Sequence, residues 1–258
     1  KILARMAAAV EMLHTATLIH DDLIDGALFR RGASTLNKQW SPATTVLMGD
    51  YVFSRAAKLA SQTGSIRAMR VFADALSTIV NGEITQMFSQ RTLTDREDYY
   101  HRIYAKTASL FETATGVAAI LSHVDEKMTQ LASDFGYNFG MAFQIVDDVL
   151  DYTGDRATVG KPVASDLRQG LITLPAIYYL EVNPDDADMK AVMNGGRSDE
   201  ERIMRLVETI RDSGAIHQSR EEAYQFLNRG LESLAALPDG LERSALKELG
   251  HYIVDREI

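Results

Sequence analysis

Apolar residues recur along almost the whole chain at the spacing of an α-helix, about 3.6 residues. The pattern opens with Ile2, Leu3, Met6, Val10 and Leu13 and predicts helices from Lys1 to Asp25, Pro42 to Ser61, Ser65 to Phe88, Asp95 to Leu121 and Asp125 to Asp151. Further helices are expected from Leu171 to Glu181, Asp199 to Asp212, Ala215 to Leu237 and Leu241 to Asp255. Pro42 and Asp95 stand near helix starts, where each residue type is favoured. Two irregular segments, Gly26 to Ser41 and Tyr152 to Gly170, break the pattern. No run alternates as a strand, no Gly/Ser linker divides the chain, and no short-period repeat is visible. The expectation is one all-α domain over residues 1–258, a single-domain helical bundle. Because the chain opens at Lys1 already inside a helical pattern, further N-terminal helices are expected to precede it.

Composition narrows the function classes. The 258 residues are 46% hydrophobic, ample for a core, and the absence of cysteine excludes disulfides and thiolate metal sites. A net charge of −9 argues against nucleic-acid binding. It permits a phosphorylated substrate if metal ions bridge the two negative partners. No uncharged stretch approaches the ~18 residues of a membrane span, and no secretory signal is visible, so the expected location is cytoplasmic.

Two clusters stand out, Asp21-Asp22-x-x-Asp25 and Asp147-Asp148-x-x-Asp151, each embedded in an apolar helical segment. On a helix, Asp21 and Asp25 share a face, as do Asp147 and Asp151. Carboxylates crowded on one turn repel one another, and hard cations such as Mg2+ offset that repulsion. One such cluster reads most simply as a solvated acidic face; two in largely uncharged surroundings read as a metal site shared by two facing helices. Calcium loops are the rival, but neither cluster has the required Gly and closing Glu.

Cations follow both clusters. Arg30-Arg31-Gly32 comes after the first, and Arg156, Lys161-Pro162 and Arg168 come after the second. Guanidinium groups grip phosphate oxygens as a fork, while lysine acts as a point charge. Lys106-Thr107, among small residues on a predicted helix, is a further candidate. Placed beside the acidic clusters, these groups point to diphosphate binding.

At this point the chain resembles the trans-isoprenyl diphosphate synthases, the polyprenyl synthetase family. The stretch from His14 to Asp25, followed by Arg30-Arg31-Gly32, is similar to that family's first aspartate-rich motif, and Gly140 to Tyr152 is similar to its second. Gly82-Glu83, Lys106-Thr107, Gly160-Lys161-Pro162 and Asp166-Leu167-Arg168-x-Gly170 match in order and spacing.

The resemblance implies a helical bundle of the isoprenoid synthase type around a deep central pocket, with three Mg2+ ions between the aspartate clusters and an allylic diphosphate. It implies Asp21, Asp25 and Asp147 as direct ligands, with Asp22, Asp148 and Asp151 acting directly or through water. Arg30, Lys106, Thr107, Gln144 and Lys161 would hold the allylic diphosphate; His14 and Arg31 would serve isopentenyl diphosphate. Asp21, Asp25, Lys106, Asp147 and Lys161 would be the catalytic groups. A homodimer is implied, with a heteromeric partner as the variant.

Two departures stand out. Leu171 occupies a position where many members carry Lys, and the family's upstream Gly-Gly-Lys-x-x-Arg-Pro segment does not occur in the sequence. The small residues Ala16 and Thr17, upstream of the first aspartates, imply a medium or long polyprenyl product unless they serve only helix packing; Phe72, Leu76 or Ile79 could form an opposing floor. Short-chain geranylgeranyl or farnesyl diphosphate synthases, a heteromeric catalytic subunit and a class I terpene cyclase are the alternatives. A cyclase fits poorly, because Asp147-Asp148-x-x-Asp151 is not an Asn/Asp-Ser/Thr-Glu triad. Glu11-x-x-His14 and Glu248-x-x-His251 have di-iron spacing but lack identifiable partner glutamates. His20 reads as a packing histidine rather than a base.

Overall fold

The computed structural model describes residues 1–88, 95–154, 163–195 and 199–256. Helices dominate: α1 (Ile2–Ile24), α2 (Leu36–Gln39), α3 (Pro42–Ser61), α4 (Ile66–Phe88), α5 (Arg96–Ile103), α6 (Ser109–Leu121) and α7 (Glu126–Thr153). They continue as α8 (Ser165–Gln169), α9 (Leu174–Val182), α10 (Ala187–Met193), α11 (Glu200–Asp212), α12 (Ala215–Ala235) and α13 (Leu241–Asp255). Local chemistry sets several boundaries. Ser41 caps α3 by accepting from the Thr44 N–H, with Pro42 in the first turn, and Asp95 caps α5 through the Glu97 N–H.

Besides the short helices α2, α8 and α10, which the apolar spacing does not predict, three features depart from the expected pattern. A two-residue hairpin pairs β1 (Phe29–Arg30) with β2 (Ala33–Ser34) inside the first irregular segment. Such short strands are too brief to show alternation. The expected continuous helix from Asp95 to Leu121 is interrupted by a π-helical turn, Tyr104–Ala108. The helix expected from Leu171 begins only at Leu174, because Thr173 is extended and Pro175 lies in the first turn.

The chain gathers into two compact units, one of Lys1–Ser77 with Thr113–Ser133 and one of Thr78–Glu112 with Asp134–Ile258. In the first, α1 lies along α3. Met6, Ala9, Leu13 and Ala16 are buried on α1, and Thr45, Gly49, Ala56 and Ala60 on α3. Gly49 leaves room there for a side chain: a Cβ on it would lie 2.2 Å from His20 Nε2. His20 also contacts the Val46 carbonyl at 3.2 Å and Asp50 at 3.5 Å, so it is a packing histidine, as expected. Among the described residues α1 alone is long and apolar enough to cross a membrane by length and composition. Its Arg5 and Glu11 hid this from a search for uncharged runs. A core helix passes the same test, and four residues of its apolar stripe are buried in the protein.

The second unit holds the larger core. Tyr99, Ile103, Met141, Ile145, Leu167, Leu174, Ile177, Met189, Ile203, Leu206, Val207 and Leu227 are buried together. α9 is buried nearly all round, and α11 turns Ile203, Leu206, Val207 and Ile210 inward. A second cluster joins Phe135, Phe139, Leu234 and Ile253, flanked by Phe111 and Phe143. The aspartates of α7 emerge from the first of these cores.

Candidate active site

The last turn of α1 separates its three carboxylates. Asp22 points inward and is buried, and Arg30 Nε donates to its Oδ1 at 2.8 Å. Asp21 and Asp25 lie one turn apart on another face; the Asp25 N–H closes the helix on the Asp21 carbonyl at 2.8 Å. Asp25 is exposed and Asp21 half-buried. The hairpin that follows turns through Arg31 (φ 50°) and Gly32 (φ 78°), both left-handed, the geometry of a tight two-residue turn. It places Arg30 in the ladder against Asp22 and Arg31 exposed at the tip. Thr35, buried, anchors the hairpin's exit by donating to the Ala27 carbonyl at 2.7 Å. His14 is half-buried on α1, two turns before Asp21.

In the second unit each aspartate of α7 has a different environment. Asp148 is 3% exposed and accepts two hydrogen bonds, from Tyr99 Oη to Oδ2 at 2.7 Å and from Gln144 Nε2 to Oδ1 at 2.8 Å. Thr107 Oγ1 in turn donates to Gln144 Oε1 at 2.7 Å, fixing the amide's orientation. Asp151 is clamped by backbone: Ser165 N–H reaches Oδ1 at 3.0 Å and Asp166 N–H reaches Oδ2 at 3.1 Å. Those amides face it because Ala164, just before α8, is left-handed (φ 54°). Asp147 is exposed, and Arg256 Nη2 lies 3.2 Å from its Oδ1, with the guanidinium over the Phe143 ring at 4.6 Å.

Lys106 and Thr107 sit in the π turn. A π turn inserts one residue and displaces side chains from the regular helical register, a distortion frequent at functional sites. Two glycines admit it. A Cβ at Gly82 on α4 would lie 2.6 Å from Ala105 Cβ, and one at Gly140 on α7 would lie 2.6 Å from Ala108 Cα. Lys106 Nζ therefore reaches Glu83 Oε1 at 3.1 Å while Thr107 reaches Gln144.

Burial dominates the carboxylates of this unit. It pushes the Asp148 carboxyl well above the ordinary carboxylate range, and the Asp166 charge adds to that. Asp166 is raised by burial and by Asp151 and Asp147, and is drawn back by Lys106 and Arg102. Asp151 is raised by burial while its backbone bonds pull the other way. The acids are crowded, and every donor is an oxygen, a set that suits Mg2+. Among the described residues no three His, Asp or Glu side chains gather closely enough to hold an ion by themselves. Mg2+ held here would complete its shell with water or substrate oxygens, and among the described residues no partner carboxylates gather at Glu11/His14 or Glu248/His251 for a di-iron site.

The expected cations meet different fates. Lys161, with Arg156, Gly160 and Pro162, lies outside the described residues. Arg168 braces the fold: it donates to the Val163 carbonyl at 2.9 Å and pairs with Glu200. The spacing rules passed over Tyr99, Arg102 and Arg256. Tyr99 stands seven residues before Lys106, about two helical turns, but the π turn between them spoils that register. Arg256 is brought to Asp147 only by tertiary packing. Ala16 is buried in the core, and Thr17 Oγ1 bonds the His14 carbonyl at 2.8 Å. Ala16 therefore contributes to helix packing, while the Thr17 bond stays within α1.

A polyprenyl synthetase family model matches residues 1–210, well over half of the chain. The protein belongs to this family. It is 38% identical over 256 residues to the all-trans-nonaprenyl-diphosphate synthase (geranyl-diphosphate specific) of Rhodobacter capsulatus, covering 98% of this chain and 78% of that one. The octaprenyl diphosphate synthase of Escherichia coli (strain K12) is 34% identical over 254 residues, with 98% and 79% covered. Among solved structures, a Caulobacter crescentus polyprenyl synthase complexed with calcium and isoprenyl diphosphate superposes with a TM-score of 0.90 at 37% identity, covering 98% of this chain and 78% of that one. The likeness to these polyprenyl synthases accounts for the all-α architecture.

Proposed function

We propose that this protein condenses an allylic diphosphate with isopentenyl diphosphate to give a trans-polyprenyl diphosphate, acting as one catalytic domain. The observation that carries the reading is the organised second cluster, where Asp148 and Asp151 are held rigidly while the face bearing Asp147 stays accessible. Asp21 and Asp25 of the first motif and Asp147 of the second would hold Mg2+ directly. Bound Mg2+ neutralises charge on the departing diphosphate. The solved Caulobacter relative, described with calcium and isoprenyl diphosphate, supports a cation-assisted diphosphate site.

The chain's own residues then divide the work. Arg30, Lys106, Thr107, Gln144 and Lys161 hold the allylic diphosphate, and His14 and Arg31 hold isopentenyl diphosphate. Heterolysis of the allylic C–O bond leaves a carbocation and a diphosphate anion, and fixed cations stabilise the anion where its charge develops. The isopentenyl double bond forms the new C–C bond, and the resulting cation loses a proton to the departed diphosphate. Apolar helix walls exclude water that would quench the cation. No protein nucleophile takes part.

The product is a medium or long chain, a reading supported by relatives named for nonaprenyl and octaprenyl products. Exposed Leu47 and Tyr51 on α3, and Ile84 and Met87 on α4, support burial against a second copy in a homodimer. The enzyme acts in the cytoplasm. The test is product analysis of the full-length protein with labelled isopentenyl diphosphate, farnesyl diphosphate and Mg2+, beside a metal-free control. A metal-dependent ladder ending at one length is expected. A cyclic hydrocarbon, or no elongation without an added partner subunit, overturns the reading in favour of a cyclase or a heteromeric synthase.

A further inference from the structure

Arg102 is a cation beside the second acidic cluster to which the chain's motifs assign no role. It lines a cavity of about 430 Å³ within the second unit, walled by Thr78, Asn81 and Thr85 of α4 and by Leu171 and Ile172. The cavity also reaches Gly82 and Ala105, the immediate neighbours of the Glu83–Lys106 pair. Arg102 Nη2 donates to the Ile172 carbonyl at 2.5 Å, and its guanidinium lies over the Tyr99 ring, 5.6 Å from the centroid. The Tyr99 hydroxyl is bonded to Asp148, so the charge stands one side chain away from the second cluster.

Two properties make this charge suited to an anion. A guanidinium carries five N–H donors in a rigid fork, and the Ile172 carbonyl accepts from one nitrogen. No carboxylate lies within ion-pair distance of Arg102 among the described residues, whereas Lys106, Arg30, Arg168 and Arg256 each have one. Asp166 feels this charge at longer range and Asp98 shares the cavity wall, but a half-buried guanidinium whose direct partners are a carbonyl and a ring keeps N–H donors open to phosphate oxygens. Leu171, on the same cavity wall, contributes no charge.

We infer that Arg102 contacts the diphosphate of the allylic substrate, supplying a binding charge from the cavity side of the second cluster. The inference rests on the prenyltransferase reading above. The rival role is mechanical: Arg102 would merely tie α5 to the segment before α9 through the Ile172 carbonyl.

The experiment compares the full-length protein with Arg102→Leu, Arg102→Lys and the double variant Arg102→Leu/Leu171→Lys. Steady-state kcat and KM for farnesyl diphosphate are measured, together with calorimetric binding of Mg2+-pyrophosphate and thermal melting. Arg102→Leu is expected to raise KM and weaken pyrophosphate binding by roughly tenfold to a hundredfold, the loss of one charge-assisted contact, with Tm unchanged. Arg102→Lys is expected to fall between, and Leu171→Lys to recover most of the loss. A KM within about twofold of the unaltered protein, the scale of no lost charged contact, overturns the inference. So does a raised KM that tracks lost thermal stability and is not recovered by Leu171→Lys. Turnover by the unaltered protein in the same assay judges the prenyltransferase reading separately; its absence overturns that reading and this inference with it.

Discussion

Gly140→Ala tests whether the π turn is held in place by backbone proximity. The new Cβ would lie 2.6 Å from Ala108 Cα, 2.9 Å from Ala108 Cβ and 3.1 Å from Phe111 Cβ. Carbon atoms rest at about 3.5–4.0 Å, so α7 and the π turn must separate by about 1 Å. Two of the three nearest atoms belong to Ala108, whose Cα is backbone, so no rotamer change relieves the overlap. Overpacking of this kind costs about 1–3 kcal/mol, and the gain in helix propensity from Gly to Ala returns about 1 kcal/mol. The net expectation is a loss of about 0–2 kcal/mol, each kcal/mol lowering Tm by about 2–4 °C in a chain of this size. Activity should suffer more than stability. The shift would draw Thr107 away from Gln144, now 2.7 Å apart, and a misplacement near 1 Å can reduce turnover about a hundredfold. Thermal melting and kcat/KM on the same preparation make the measurement. Gly116→Ala is the control, because its Cβ would meet only the rotatable Ser133 Oγ at 2.6 Å. If Gly140→Ala gained stability and kept full turnover, the tight contact described here would be wrong.

Other outcomes follow from the same structure. Asp21→Ala and Asp147→Ala should each lower turnover by about a thousandfold or more, the loss of an electrostatic contribution to the transition state, while circular dichroism stays unchanged; near-normal rates would remove these residues from the metal site. Gly49→Ala should destabilise by about 1 kcal/mol, the cost of swinging the His20 ring off the Val46 carbonyl. Made in a His20→Ala chain, it should cost little more in chemical denaturation, and additive losses would contradict the contact. Glu112 has its carboxyl raised by burial, with the Tyr104 hydroxyl bond pulling back. The folded state therefore holds that proton more tightly than the unfolded chain. Its contribution is complete below the unfolded pKa and is lost as pH rises through the folded one. Glu112→Gln should accordingly melt higher than the unaltered protein at neutral pH and converge with it in acid. A difference in Tm that does not vary between acid and neutral pH would refute the assignment.

Periodicity along the chain determined the helices, because each must bury one apolar stripe and the period of that stripe is written locally. Lys1–Asp25 against the observed Ile2–Ile24, and Asp199–Asp212 against Glu200–Asp212, differ only at caps. The two aspartate clusters were equally legible, since i,i+4 spacing places side chains on one face whatever the helix packs against. Tertiary structure decided the rest. Whether an aspartate is solvated like Asp25, paired like Asp22 with Arg30 across the hairpin, or sealed like Asp148 under Tyr99 from 49 residues away depends on how the chain folds back on it. The π turn at Lys106 depends on Gly82 and Gly140 arriving from two other helices. Arg102 and Arg256 acquire their neighbours 70 and 109 residues away in sequence, where no spacing rule reaches. Local sequence fixes which face a side chain occupies, because backbone geometry repeats every turn. Only the packed chain sets that side chain's dielectric surroundings and partners, because burial and charge are properties of whatever lies opposite.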